Sequence, residues 1–367
     1  MRRSHRWPAK TREARHQRDA SVILALLAAR AGRSKNPPIA APNRSFHLRT
    51  FISMRLLNFR RSFLLALALF AAGCGPKSPN AGTPAEGKGR LFAVSFMTLN
   101  NPFFVDLGEG IRQTVEAHGD RLVVLDAKFD ALKQKNDISD VLQQEPAAIF
   151  INPVNWEGVR ATLMDAQRRK VPIIVVDTQV ADDGMVLTQV ASDNVAAGRL
   201  ACEALGKVKP AAKLAILHHS VAKSCIDRVQ GFKEAMAKFP EMKLLDTQEG
   251  KGSREGALPV MRDLLGRFPE LDAVFPINDP SALGAISAIE SSGKTGQVAV
   301  VTVDGSSDGI AAVKAGRLLS TSAQFPKEIG RIAAEKAYDS LAGKPVEKEV
   351  KVEVKLISKD NVAEFAK

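Results

Sequence analysis

From Leu91 onward the chain alternates between short apolar runs and amphipathic stretches of a dozen or so residues, and this rhythm limits what it can fold into. The runs at 91–97, 121–126, 147–151, 172–177, 185–190, 213–217, 242–247, 272–277, 298–303 and 319–323 have the length and composition of buried strands. Helical stretches separate most of them, which predicts βαβ units and parallel sheets. Ten strands exceed the usual single sheet. The expectation is therefore an α/β protein with two doubly wound parallel-sheet lobes.

The strand ends carry the chemistry. Residues 147–152 read AAIFIN, 171–177 VPIIVVD, 272–278 DAVFPIN and 297–304 QVAVVTVD, so four apolar strands finish on Asn152, Asp177, Asn278 and Asp304. The first run, LFAVSFMTLNNPFF at 91–104, leads into two amides, a proline and two phenylalanines. Asn101 can cap the helix that follows, and Pro102 suits its first position, where a missing N–H costs nothing. Phe104, Leu107, Ile111 and Val115 recur at helical spacing and give that helix one apolar face. Parallel strands share a carboxyl edge, where open α/β sheets bind ligands. Two lobes facing each other at those edges would bring Asn101, Asn152, Asp177, Asn278 and Asp304 into one cleft. One such residue alone is as readily a cap or turn residue, and Asp126, which also ends a strand, is not assigned to the cleft. The inference rests on the recurrence.

The formal charge of +12 does not point to nucleic acid, because it is unevenly spread. Residues 1–53 hold 12 Lys+Arg against 2 acids and residues 54–90 hold 6 against 1, whereas residues 91–367 hold 34 against 37. The globular part is slightly acidic, so the basic balance says nothing of its partner. Met54 to Cys74 reads as a secretion signal: Arg55, Arg60 and Arg61 form a positive n-region, Phe63 to Ala72 an apolar h-region, and small residues precede the cysteine. The run FAAGC resembles a bacterial lipobox, with Ala71 where a Leu is usual, and places lipidation on Cys74. Two or more acyl chains anchor a protein stably. The apolar run is too short to span a bilayer of about 30 Å. Residues 74–90, rich in Pro, Gly and Ser, read as a flexible tether. Cys202 and Cys225 could pair outside the cytoplasm, but Cys202 falls on an apolar helix face and reads as a small core residue. No metal-ligand spacing involves either cysteine.

Seven short stretches occur in order between Leu91 and Ile357: TLNNPFF at 98–104, INP at 151–153, ASDNVAAG at 191–198, DRVQGF at 227–232, NDPSALGA at 278–285, VDGSSDG at 303–309 and AQFP at 323–326. On them the chain resembles the periplasmic sugar-binding proteins of ABC transporters, specifically the ribose-binding type. The resemblance implies the periplasmic binding protein type I fold, two α/β lobes joined by a three-crossing hinge that close on a monosaccharide. It implies an N-terminal lobe of residues 91–192 and 325–353, and a C-terminal lobe of 193–324 and 354–367. Carried over by position, the ligand contacts are Asn101, Phe103, Phe104, Asn152, Asp177, Arg228, Asn278, Asp304 and Gln324. Their chemistry suits a sugar. Carboxylates and amides serve vicinal hydroxyls, a guanidinium offers a planar fork of donors, and phenyl rings cover apolar C–H faces.

Four positions depart from the ribose pattern: Met97 for a small polar residue, Thr178 for an arginine, Gly252 for an aromatic and Val303 for a phenylalanine. One lost arginine leaves two carboxylates against one guanidinium, and two lost aromatics open space. A ligand bound in ribose's manner is therefore not expected. The ligand is larger, or carries an amine, or Lys223, Lys251 or Trp156 moves into the space.

The implied function is an extracytoplasmic, lipid-anchored, monomeric protein that delivers a monosaccharide or related polyol to an ABC permease. It needs no cofactor, resides in the periplasm or cell envelope, and touches a membrane through its lipid alone. An alternative output is a sugar sensor read by a chemoreceptor or sensor kinase. A lactose-repressor-type regulator core shares the fold but needs a DNA-binding helix pair before residue 91, where a secretion signal stands instead. Catalysis finds little support. Asp177 and Asp304 could form an acid/base pair, but no G-x-S-x-G or P-loop is present. His218 and His219 point to opposite sides of a strand and make a poor metal pair, and the glycines at 250, 252 and 256 form only a loose dinucleotide-like motif.

A signal peptide beginning at Met54 leaves no place for residues 1–53 in front of it, so translation is expected to start at Met54. A disordered basic tail and an extended n-region are the alternatives. Mass spectrometry of the natively expressed protein should then recover no peptide from residues 1–53, and one such peptide refutes this start.

Overall fold

The computed structural model describes residues 89–365. The expectations for the basic extension, the signal peptide, Cys74 and the tether up to residue 88 lie outside them. Two six-stranded sheets form the frame. The first half of the chain lays down β1 (Leu91–Phe96), α1 (Pro102–Ala117), β2 (Arg121–Asp126), α2 (Ala131–Leu142), β3 (Ala148–Ile151), α3 (Arg160–Arg168), β4 (Ile173–Val176) and β5 (Thr188–Ser192). The chain then crosses to build α4 (Asn194–Val208), β6 (Lys213–His218), α5 (Lys223–Met236), β7 (Lys243–Glu249), α6 (Arg254–Arg267), β8 (Ala273–Pro276), α7 (Asp279–Ser291), β9 (Ala299–Asp304), α8 (Ser307–Lys314) and β10 (Ser320–Ala323). It crosses back for α9 (Pro326–Leu341) and β11 (Glu349–Val352), and returns a last time for β12 (Lys355–Ser358) and α10 (Val362–Phe365).

The strand orders are β11-β5-β4-β3-β1-β2 and β12-β10-β9-β8-β6-β7, the same winding executed twice. In each sheet the order reverses between the first strand laid down and the third, at β1/β3 and at β6/β8. Such a switch point leaves a crevice outside the carboxyl ends, where loops diverge. Every residue of β1, β3, β4, β5, β8 and β10 is buried, as parallel strands covered by helices on both faces must be.

The structure adds two strands to the ten expected. β11 reads EVKV, alternating polar with apolar residues, and β12 reads KLIS, two apolar residues between polar ones; both lie at a sheet edge, and neither gives the continuous apolar run used to find strands. β11 continues the first sheet in parallel beside β5, whereas β12 runs antiparallel to β10 in the second. The C-terminal segment thus contributes one strand to each sheet.

Glycines let helices approach where a side chain would hold them apart. A Cβ at Gly198 in α4 would collide with the Arg228 carbonyl of α5, and one at Gly231 in α5 with the Val195 carbonyl of α4. Gly110 in α1 and Gly330 in α9 are locked in the same reciprocal way, against the carbonyls of Lys327 and Leu107. Apolar cores fill the rest, with Phe232 stacked on Phe275 at 4.4 Å between centroids and both rings fully buried. Cys202 and Cys225 are both free and buried. Burial pushes each thiol up to about 12. No helix among the described residues is long and apolar enough to cross a membrane.

Adding a methyl group at the locked positions must push two helices apart. Gly231→Ala should destabilise the fold by roughly 1–3 kcal/mol, the usual range for overpacking. Gly266→Ala, on a stretch of α6 where a Cβ meets nothing, should be neutral or slightly stabilising. Thermal unfolding of both variants checks the pair.

Candidate functional site

The carboxyl ends of both sheets meet at one cavity. Asn101 precedes α1 and caps it, with Oδ1 accepting from the Phe103 N–H at 3.0 Å, and Pro102 occupies the first turn as the sequence suggested. This fixes Phe103 and Phe104 on the first turn of α1, edge to face with ring centroids 5.3 Å apart. Asp177 follows β4 with φ +66°, and Asp304 ends β9 with φ +138°, both in a region that L-residues rarely adopt. Strained backbone of this kind persists only where surrounding contacts fix it, and it gathers at functional sites.

Arg228, on α5, lies beside Asp304, and its charge also reaches Asp177. Its Nε donates to Asn194 Oδ1 at 2.8 Å and its Nη1 to the Ile277 carbonyl at 2.9 Å, with Asp304 Oδ1 at 3.6 Å. Asp304 is further held by Gln324, whose Nε2 donates to Oδ1 at 2.8 Å, and by the Asp279 N–H on Oδ2 at 3.3 Å. Asn278 caps α7 by accepting from the Ser281 N–H and spends its own N–H on the Gly252 carbonyl. Asp279 stands behind this layer and is saturated by the Ser306 N–H, the Ser306 hydroxyl and the Thr321 hydroxyl.

Eight of the nine residues carried over from the resemblance border this cavity: Asn101, Phe103, Phe104, Asp177, Arg228, Asn278, Asp304 and Gln324. The space they enclose is small, about 30 Å³. The ninth, Asn152, is fully buried behind them. Its Nδ2 donates to Asp177 Oδ2 at 2.9 Å and its Oδ1 accepts from the Met97 N–H at 3.1 Å. Asn152 therefore orients Asp177 rather than facing the cavity.

Of the four departing positions, Met97 and Gly252 border the cavity, whereas Thr178 and Val303 are buried away from it. Thr178 makes a contact between the lobes: its hydroxyl donates to Ser224 Oγ at 2.9 Å and accepts from the Ser224 N–H at 2.8 Å. Trp156 contributes another through its N–H, 3.1 Å from the Val221 carbonyl. Lys223 pairs with Asp227, and neither it, Lys251 nor Trp156 borders the cavity. The space beside Gly252 is bordered instead by the His219 ring, 3.5 Å from where a Cβ would stand. Thr98, Phe129, Ala222, Ser224 and Cys225 complete the wall. Phe129 meets His219 edge-on across the lobes at 6.2 Å, and no periodicity marks it in the sequence, because it sits in a turn with φ +59°.

Burial pushes Asp177 up to about 7; the Arg228 charge opposes this, Asp304 adds to it, and the Asn152 hydrogen bond opposes it. Asp279 is likewise pushed up to about 7, by burial and then by Asp304. Asp304 is raised by burial, against Arg228. One guanidinium does not neutralise the set. No cluster of side chains suited to a metal ion occurs among the described residues.

The family described as periplasmic binding protein domain matches residues 92–345. The ribose import binding protein RbsB of Bacillus subtilis is 36% identical over 301 residues, covering 80% of this chain and 97% of the relative. RbsB of Escherichia coli is 35% identical over 269 residues, covering 73% and 90%. Among solved structures, the myo-inositol binding protein of Caulobacter bound to myo-inositol superposes with a TM-score of 0.71 at 27% identity, covering 77% of this chain and 98% of that one.

Folding raises the Asp177 pKa above its ordinary 3.8, so its contribution to stability is whole below that value and is lost as pH rises through about 7. Asp177→Asn removes the ionisation. It should raise the melting temperature of the ligand-free protein more at about pH 8 than at about pH 4, which calorimetry across that range checks.

Proposed function

The chain belongs to the periplasmic binding protein family, and from that premise we propose that it captures a monosaccharide or related polyol outside the cytoplasm and delivers it to an ABC importer. The observation that carries this reading is the convergence, from both lobes, of Asp177, Asp304, Arg228, Asn101, Asn278 and Gln324 on one cavity. Acceptors and donors at that density, beside the rings of Phe103 and Phe104, match a small ring with hydroxyls on its rim and C–H groups on its faces. The relatives are named for binding and import, and the protein is a binding protein rather than an enzyme.

The proposed mechanism is closure about three crossings, with residues 91–192 and 325–353 moving against residues 193–324 and 354–367. A ligand that contacts both lobes only when they are shut stabilises the shut state by that difference in contact. The Thr178–Ser224 and Trp156–Val221 hydrogen bonds then form part of the closed arrangement, and the shut surface is what a permease reads. The proposal includes a monomer tethered through lipid on Cys74, ahead of a Pro/Gly-rich spacer that leaves the lobes free to swing.

Two cavity carboxylates against one guanidinium make an anionic sugar unfavourable. In a calorimetric panel of neutral, amino and acidic sugars and polyols, at least one neutral or amino compound should bind, sugar acids should not, and ribose should not be the tightest. Arg228→Ala leaves Asp304 buried without its cation and should weaken binding of the best compound by about 2–5 kcal/mol. Undiminished affinity in this variant would place the ligand elsewhere.

A further inference from the structure

His219 is a cavity residue that neither strand periodicity nor the resemblance points to. It follows β6, is only 8% exposed, and borders the cavity. Its Nδ1 lies 3.2 Å from Glu249 Oε1. Glu249 in turn is fixed by three donors, the Ser220 N–H at 2.9 Å, the Ser220 hydroxyl at 2.8 Å and the Lys251 N–H at 2.8 Å. Burial alone would raise the Glu249 pKa, but these bonds and the one from His219 hold it down to about 2. An ionised carboxylate has no proton to give, so the proton of a neutral His219 ring resides on Nδ1. That leaves Nε2 with a free lone pair.

Nε2 is buried and has no hydrogen-bond partner among the described residues. A buried acceptor left unpaired is costly, and such atoms gather where a ligand supplies the missing donor. The surroundings keep the ring available. Gly252, at φ +62°, places no side chain over it, and a Cβ there would stand within 3.6 Å of both the ring and Asn278 Nδ2. Phe129 buttresses the ring edge-on from the other lobe. Gln324 Oε1 is a second buried acceptor without a partner at the same cavity.

We propose that His219 is a ligand-binding and specificity-determining residue, whose Nε2 accepts a hydrogen bond from a ligand hydroxyl while Glu249 fixes its tautomer. The proposal rests on the sugar-binding reading of the same cavity and narrows it. Nε2 and Gln324 Oε1 are both unpartnered acceptors at one cavity, so the ligand presents donors to them, as an uncharged polyhydroxylated ring does. His219 also takes over the wall that Gly252 leaves bare. Glu249 is a positioning residue.

The test is calorimetry on the purified mature chain with D-ribose, D-allose, xylitol, myo-inositol, L-arabinose and D-tagatose, followed by the monodeoxy analogues of the tightest compound. His219→Phe keeps a ring of similar shape and removes the acceptor. It should weaken the parent compound about tenfold or more, equivalent to ~1.4 kcal/mol. One monodeoxy analogue should bind wild type and His219→Phe alike, identifying the hydroxyl concerned. His219→Gln, which restores an acceptor, should recover part of the loss. Imidazole ¹⁵N resonances should report the Nδ1–H tautomer, with Nε2 shifting on ligand addition. Equal affinity of wild type and His219→Phe for every compound would overturn the role of His219 while leaving sugar binding intact. An equal loss for the parent and all analogues would reduce His219 to a structural part. Binding of none of the panel by the wild type would overturn the sugar reading and this inference with it.

Discussion

Three carboxylates and a single guanidinium, all buried where two sheets end, set the terms for the rest of this structure. Taking Asp177, Asp279 and Asp304 out of water is unfavourable, and Arg228 alone does not compensate. The protein answers with hydrogen bonds: Asn152 on Asp177, Gln324 on Asp304, and Ser306 with Thr321 on Asp279. Arg228 is itself aimed by Asn194 and the Ile277 carbonyl, so the cation cannot swing away from its carboxylates. The unusual backbone at Asp177 and Asp304 is the local cost of turning both carboxylates inward.

The winding is executed twice, and the second pass shows which features matter. Asn152 and Asp177 directly follow β3 and β4; in the counterpart strands Asn278 stands two residues beyond β8 and Asp304 ends β9. The two amides have diverged in duty. Asn152 serves its neighbouring carboxylate, whereas Asn278 caps a helix and holds the Gly252 carbonyl. In each lobe a helix entered from a crossing locks by glycine onto the helix that follows the first strand, α9 on α1 and α4 on α5. Those locks hold neighbouring helices within each lobe at distances that leave no room for a Cβ.

Much of this was legible in the sequence because parallel strands advertise themselves. They are covered on both faces, read as unbroken apolar runs, and end on the polar residues that matter. β11 escapes a sequence reading because an edge strand alternates like surface, and β12 because it sets only two apolar residues between polar ones. Asn152 reads as a contact in the sequence because it closes an apolar run as the others do; only the structure shows its amide spent on Asp177 and Met97. Gly252 suggested vacated space, but the replacement, His219, comes from a different strand end and is oriented by a glutamate 30 residues away. Pairings over that distance leave no periodic trace. Phe129 escaped for a related reason, since a left-handed turn has no repeat to read.

The passage of the chain through β11 and then β12 bears on how the molecule comes into being. Each sheet takes its last strand from residues 349–358, and the first lobe also waits for α9, made after the whole of the second lobe's parallel sheet. Vectorial synthesis usually lets an N-terminal domain fold while the rest is still being made. Here neither lobe has all its strands until the final stretch has emerged. A chain wired this way leaves both sheets open at one edge until residues 349–358 have been made.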